Sequence, residues 1–163
     1  MAKSTGLTIP VVYNSSGYEN ASSLHMLEGL VDIYLPDLKY RSPQLSALYS
    51  HAPDYFEKAS SAIAEMFRQV GRPVLSPDSG LMEKGVIVRH LLLPGCAGDS
   101  KRILRYLHDT YGNDIYVSIM NQYTPLAHLK RMPEFARSSL TRPVTEEEDA
   151  RVLDFADRIG IEK

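Results

Sequence analysis

Residues 85–93, GVIVRHLLL, constrain the fold most, because this run is nearly continuous in apolar residues and is closed by Pro94 and Gly95. Such a run is typical of a strand buried on both faces of a parallel sheet. Arg89 and His90 interrupt it. A charge in a central strand needs a partner or a pocket, so Arg89 is a candidate binding residue. His90 points to the opposite side, where we expect it to pack under a helix and donate to a backbone carbonyl.

Strands and helices alternate along the rest of the chain. Weaker strand signals cover residues 7–13, 31–35 and 115–120. Helical spacing or a capping pattern predicts five helices, at residues 21–30, after Ser42-Pro43, at 53–70, from Asp99-Ser100 to Gly112, and after the capping box of Thr145 and Glu148. Residues 72–84 are expected to form a surface excursion. The alternation predicts a parallel sheet with right-handed crossovers.

The predicted fold class is therefore α/β, a partial (β/α) TIM-like barrel of about four parallel strands with flanking helices. We expect residues 1–163 to form a single domain. The net charge of −2 offers no basic surplus for nucleic acid, and no apolar run approaches the roughly 20 residues of a membrane span. The one cysteine, Cys96, fits a reducing, cytoplasmic compartment and cannot by itself hold a metal cluster. We interpret Cys96 as inert.

Polar residues follow each predicted strand, and in parallel folds these strand ends meet at one edge, where ligands bind. The four strand ends carry Asn14, Ser15, Ser16 and Gly17; Asp37 and Lys39; the Arg89-His90 pair with Pro94 and Gly95; and Asn121, Gln122 and Tyr123. Each has an ordinary alternative: the first group suits a tight turn, and Asp37 with Lys39 suits a surface ion pair. The loop at 128–143 is locally basic through Lys130, Arg131, Arg137 and Arg142, and a solvated loop is the simpler interpretation.

Four segments together carry a resemblance to a known family. They are residues 10–18 (PVVYNSSGY), 31–40 (VDIYLPDLKY), 88–95 (VRHLLLPG) and 116–123 (YVSIMNQY). In this order and at these separations, the chain resembles the C-terminal part of a radical S-adenosylmethionine (radical SAM) protein similar to pyruvate formate-lyase activating enzyme. The resemblance covers residues 9 to about 160.

The resemblance implies the last four strands of a (β/α)6 partial barrel. In such oxidoreductases an iron–sulfur (4Fe–4S) cluster on a Cys-x-x-x-Cys-x-x-Cys loop binds S-adenosylmethionine, and reductive cleavage gives a 5′-deoxyadenosyl radical. The radical abstracts hydrogen from a substrate, in activating enzymes a glycine of a partner protein, and an electron donor is also required.

Carried over by position, the cofactor-binding residues are Asn14 and Ser15 at the methionine end, Asp37 and Lys39 near the ribose and carboxylate, and Arg89 on its strand. Tyr123 stands about where the family has a ribose-contacting histidine, which departs from the pattern.

The cluster loop and the glycine-rich strand of the family have no counterpart in this sequence, and we predict no catalytic or metal-binding residue. The resemblance then implies that the chain is a fragment that begins within the barrel. Residues 2–8 resemble the end of a helix that runs into a strand. We expect it to be inactive alone. Two alternatives stay open: a small aldolase-like protein with Lys39 as its Schiff-base lysine, and a non-catalytic half-barrel that self-associates through its exposed sheet edge.

Overall fold

The computed structural model describes residues 6–133, 135 and 138–162. The prediction for residues 2–5 and the position of Arg137 lie outside these residues. The strands are β1 (Val12–Ser15), β2 (Ile33–Pro36), β3 (Val74–Leu75), β4 (Met82–Leu91) and β5 (Tyr116–Met120). The helices are α1 (Ala21–Leu24), α2 (Pro43–Ser50), α3 (Tyr55–Val70), α4 (Ala97–Tyr111) and α5 (Glu146–Ile159), with single 3₁₀ turns at His25–Leu27, Ala127–Arg131 and Ser139–Thr141.

The sheet is parallel in the order β1-β2-β4-β5, and β3 adds a short antiparallel pairing at the start of β4. This is an α/β fold compatible with a partial barrel, as the alternating pattern predicts. Among the described residues, no helix has both the length and the apolar character to cross a membrane.

Helices cover one face of the sheet. On β4, Val86, Val88 and His90 are buried, and they share the core with the inward sides of α3, such as Ile63, and α4, such as Leu104. Strand alternation places the neighbouring residues on the second face.

The second face, which we call the open face, is less covered by the described residues. Ile87, Arg89 and Leu91 on β4 and Ser118 on β5 are only partly buried there, and Val12 on β1 is about half exposed. Its residues lie in register across the strands: Asn14 pairs with Leu35, Asp37 with Arg89, and Arg89 with Ser118.

Several predicted ends are confirmed. Ser42 caps α2 by accepting from the Leu45 amide, Gly71 and Gly112 end α3 and α4, and Thr145 and Glu148 form the capping box of α5. These are local patterns, in which the residues that decide the end are close in sequence.

Other boundaries differ. β1 begins at Val12, not Leu7, because Pro10 has no amide hydrogen and the partner strand β2 begins only at Ile33. The helix predicted at 21–30 ends at Leu24, where a 3₁₀ turn leads to Gly29 with a φ of 75°.

Two further predictions need correction. Residues 72–84 lie at the surface as predicted, but they contain β3, whose pairing with Lys84 and Met82 starts β4 earlier than Gly85. Asp99 and Ser100 do not cap α4, which begins at Ala97; both are buried inside its first turn.

Candidate functional site

Three charged side chains predicted from the strand ends meet at the carboxyl ends of β2 and β4. Arg89 Nε and Nη2 donate to Asp37 Oδ1 at 2.9 and 2.6 Å, and Lys39 Nζ lies 3.5 Å from Asp37 Oδ2. Asp37 and Arg89 are brought together by their parallel pairing across the two strands. We call these three residues the Asp37 cluster.

The Asp37 cluster is partly desolvated and carries more positive than negative charge. The side chains of Asp37 and Arg89 are 17% and 26% exposed, and that of Lys39 is 38% exposed. Two cations around one carboxylate leave a net charge of +1 at the edge of the open face. An arginine fork and an ammonium group there can bind a carboxylate or phosphate, while the oxygens of Asp37 can accept from hydroxyl or ammonium groups.

Asn14 and Ser15 fall on opposite sides of β1. Asn14 is exposed and lies on the open face, where it pairs with Leu35, two residues before Asp37. Ser15 points the other way, and its Oγ accepts from the Gly17 amide at 3.2 Å. Asn14 therefore shares a face with the Asp37 cluster, whereas Ser15 shapes the turn.

Tyr123 has a structural partner in the loop that follows β5. Its hydroxyl donates to the Leu140 carbonyl at 2.9 Å, and its ring packs on a small apolar cluster of Leu129, Phe135 and Leu140. Burial raises the pKa of the Tyr123 hydroxyl. The described contacts do not bring Tyr123 to the Asp37 cluster, and its predicted role beside a ribose stays a prediction.

The backbone that carries Asp37 and Lys39 is held by two side chains, Tyr55 and Asp99, for which the sequence predicted no such role. The Tyr55 hydroxyl, at the start of α3, shares its one hydrogen between the Ser16 and Asp37 carbonyls, at 2.9 and 3.0 Å, and accepts from the Lys39 amide at 3.1 Å. Asp99 Oδ2 accepts from the Arg41 amide at 2.8 Å. Residues 37–41 are therefore a fixed segment.

His90 completes this support and behaves as predicted for a core histidine. Its Nδ1 lies 2.7 Å from the Leu38 carbonyl, and its Nε2 lies 2.8 Å from Ser100 Oγ. A carbonyl can only accept, so Nδ1 carries the hydrogen and Nε2 accepts from the serine hydroxyl. Complete burial lowers the pKa of His90, which favours the neutral ring.

Gly17 allows the end of β1 to approach this segment. Its φ is 75°, and a Cβ at this position would overlap the carbonyl oxygen of Asp37. Only glycine combines this backbone conformation with so close a contact.

The basic loop at 128–143 is partly a structural element. Arg142 forms a two-pronged ion pair with the buried Glu148, Nη1 to Oε2 at 2.7 Å and Nη2 to Oε1 at 2.8 Å. This pairing lowers the pKa of the Glu148 carboxyl well below its usual range. Glu148 Oε1 also accepts from the Gly95 amide. The capping box of α5 is therefore bonded to the turn that follows β4.

The described residues do not fit an iron–sulfur cluster. Within residues 6–133, 135 and 138–162, no group of three His, Cys, Asp or Glu side chains could hold a metal ion. Cys96 is partly buried at the start of α4, and burial raises the pKa of its thiol, which lowers the fraction present as the nucleophilic thiolate.

Fold and site together define a parallel α/β protein with a charged edge at the carboxyl ends of its strands. No known family model matches the sequence. The chain is similar to an uncharacterized protein of Methanocaldococcus jannaschii, with 27% identity over 158 residues. The match covers 94% of this chain and 40% of that relative.

Proposed function

We propose that this chain is the C-terminal part of a radical SAM protein similar to pyruvate formate-lyase activating enzyme, and that the Asp37 cluster binds S-adenosylmethionine. The observation that carries the proposal is the contact of Asp37 with both Arg89 and Lys39 on the less covered face of a parallel sheet. In parallel α/β folds this edge is where ligands bind.

The charges of the Asp37 cluster suit the methionine end of S-adenosylmethionine, which has a carboxylate and an ammonium group. Arg89 and Lys39 can bind the carboxylate, since the cluster has a net charge of +1. The carboxylate oxygens of Asp37 and the side-chain amide oxygen of Asn14 can accept from the ammonium group or from ribose hydroxyls. The fixed backbone at 37–41 would orient these groups before the ligand arrives, which reduces the entropy lost on binding.

The radical chemistry requires residues beyond this sequence. Bound next to a reduced 4Fe–4S cluster, S-adenosylmethionine supplies a 5′-deoxyadenosyl radical. Cys96 alone cannot ligate such a cluster, so we derive no step through it here. The relative from Methanocaldococcus jannaschii is long enough for a further part, because the match spans 40% of it. The resemblance implies two partners, which we include in the proposal. One is a partner protein whose glycine gives up the hydrogen, and the other is an electron donor.

Calorimetric titration of S-adenosylmethionine into the chain tests the cofactor site. We expect saturable binding, and weaker binding of methionine or adenosine alone. Equal heats for the chain and for a buffer blank would reject the Asp37 cluster as a cofactor site.

The nucleotide sequence upstream of Met1, read in frame, tests the larger proposal. We expect a Cys-x-x-x-Cys-x-x-Cys motif followed by a glycine-rich strand. A stop codon and a ribosome-binding site directly before Met1 would contradict it, since the product would then lack the cluster ligands.

A non-catalytic half-barrel is the second candidate. Within the described part of the chain, β1 pairs with β2 alone, so this edge of the parallel sheet is free to pair, and Val12 on β1 is exposed. The β5 edge is partly used, since the Val117 amide donates to the Glu162 carbonyl at 3.4 Å. A sedimentation series over protein concentration tests it: self-association would favour the candidate, and a constant monomer mass would reject it.

The Schiff-base alternative is less well supported by the surroundings of Lys39. The ammonium group lies 3.5 Å from a carboxylate and is 38% exposed, whereas a reactive lysine is commonly desolvated in an apolar pocket or next to another cation. Borohydride reduction with a carbonyl substrate would trap an adduct on Lys39 if this alternative held.

A further inference from the structure

A groove on the helical side of the molecule lies apart from the Asp37 cluster. It encloses about 680 Å³ between the start of α2 and the outward sides of α4 and α5. We call it the α4 groove; the residues that matter here are Arg41, Lys101, Arg102, Arg105, Asp109 and Phe155.

The α4 groove concentrates positive charge on a chain whose net charge is −2. Four cations line it against one carboxylate, Asp109. Arg102 is neutralised by Asp99, with Nη2 2.7 Å from Oδ1. Within the described part of the chain, Arg41, Lys101 and Arg105 have no ion pair with a carboxylate. Their charge is therefore free for a ligand.

Aromatic rings hold these cations in place. Arg41 Cζ lies 4.0 Å from the centre of the Phe56 ring, and Arg105 Cζ and Lys101 Nζ lie 5.2 and 5.8 Å from that of Phe155. A guanidinium group over a ring has one flat side covered, while the N–H groups at its edge stay available. This arrangement prepares Arg41 and Arg105 to bind carboxylates with two parallel hydrogen bonds.

The surroundings favour a short ligand over a long polyanion. Beyond Lys101 the surface carries both signs of charge, with Arg151 and Arg158 beside Asp154 and Asp157, so a nucleic-acid backbone extending past the groove would gain no further net attraction. The groove is open and combines cations with apolar rings, a composition found where proteins meet, since arginine and aromatic residues are enriched at such interfaces.

We propose that the α4 groove binds a short acidic segment of a partner protein, with Arg41, Lys101 and Arg105 pairing with its carboxylates. The proposal is independent of the cofactor assignment, because none of these three residues belongs to the Asp37 cluster.

A synthetic peptide of alternating Glu and Gly residues, titrated into the isotope-labelled chain and followed by nuclear magnetic resonance, tests the proposal. We expect saturable shifts on α4 and at Phe155 that weaken with added salt. The double variant Lys101→Glu, Arg105→Glu should lose on the order of tenfold in affinity. Both side chains are on the outward side of α4, and circular dichroism checks that the variant is folded; Arg105→Gln is the milder substitution if it is not.

The double variant Arg72→Glu, Lys84→Glu is the matched control, because it makes the same charge change at two exposed residues outside the groove. It should bind like the unmodified chain. Equal losses in the two double variants would overturn the proposal, since binding would then follow net charge alone. Tighter binding of inorganic pyrophosphate or of single-stranded DNA at the same residues would also overturn it, in favour of a phosphate site.

Discussion

The Tyr55 hydroxyl is 3.0 Å from the carbonyl oxygen of Asp37, and this bond joins the first turn of α3 to the end of β2. Tyr55 is 3% exposed, so its hydroxyl exchanges water for three backbone partners when the chain folds. The same helix that fills the core therefore also fixes the position of the candidate site.

Tyr55→Phe removes these bonds without changing the shape of the ring. We expect the free energy of unfolding to fall by about 1–3 kcal/mol, because buried backbone groups lose their partner. Urea denaturation measures the change. Tyr18→Phe is the control: Tyr18 stacks on Tyr55, but its hydroxyl bonds the exposed Asp54. Equal effects of the two substitutions would contradict a special role for the Tyr55 hydroxyl.

Gly17→Ala should destabilise the chain, since the added Cβ overlaps the Asp37 carbonyl and a φ of 75° strains any L side chain. The strained backbone conformation alone costs about 1–2 kcal/mol of folding free energy. Thermal unfolding measures the total loss of stability. Gly98→Ala makes the same chemical change in α4, where nothing lies within 4 Å, and should raise stability by about 0.5–1 kcal/mol. A Gly17→Ala variant as stable as the unmodified chain would show that Gly17 and the Asp37 carbonyl are not in such close contact.

His90 should make stability depend on pH. Its pKa is lowered by burial in the folded chain, so below its ordinary value of 6.5 the unfolded chain takes up a proton more readily than the folded one. The free energy of unfolding should therefore fall as pH drops below 6.5. Urea denaturation at a series of pH values measures this slope.

His90→Asn should flatten the slope, since asparagine can still donate to the Leu38 carbonyl but does not titrate. His51→Asn is the matched control, because His51 is exposed and has a φ of 51°, a conformation that asparagine accepts. If the stability of His90→Asn falls with pH as steeply as that of the unmodified chain, the pH dependence comes from groups other than His90.

Arg89→Ala should weaken binding of S-adenosylmethionine by about 1.5–3 kcal/mol, the contribution of a hydrogen bond to a charged group. Calorimetry measures the affinity. Arg72→Ala is the control, since Arg72 is exposed and pairs with Asp114 away from the Asp37 cluster. Unchanged affinity in Arg89→Ala would remove this residue from the proposed site.

Local patterns predicted much of the fold. The apolar run around Arg89 indicated a central parallel strand, and the caps at Ser42 and Thr145 placed two helix starts, because in each case the deciding residues are close in sequence. β3 was missed, since two residues carry no periodic signal and Val74 is strand-like only through its pairing with Lys84.

The candidate site was predicted in part. A charge in an apolar strand indicated that Arg89 has a partner, and strand-end geometry brought Asp37 near it. The support from Tyr55 and Asp99 could not be predicted, because each bonds a backbone group 16 or more residues away, and a tyrosine or aspartate in a helix gives no sign of such a contact. For the same reason Asp99 was misread as a helix cap.

Asp99 is one buried carboxylate with two partners. One oxygen accepts from the Arg41 amide, at the end of the segment that carries Asp37 and Lys39, and the other accepts from Arg102 in the α4 groove. Its side chain is 4% exposed, so few other partners can reach it. A substitution that removes this carboxylate would deprive the Arg41 amide and Arg102 of their partner at once. The backbone beside the Asp37 cluster and one wall of the α4 groove therefore depend on a single acid.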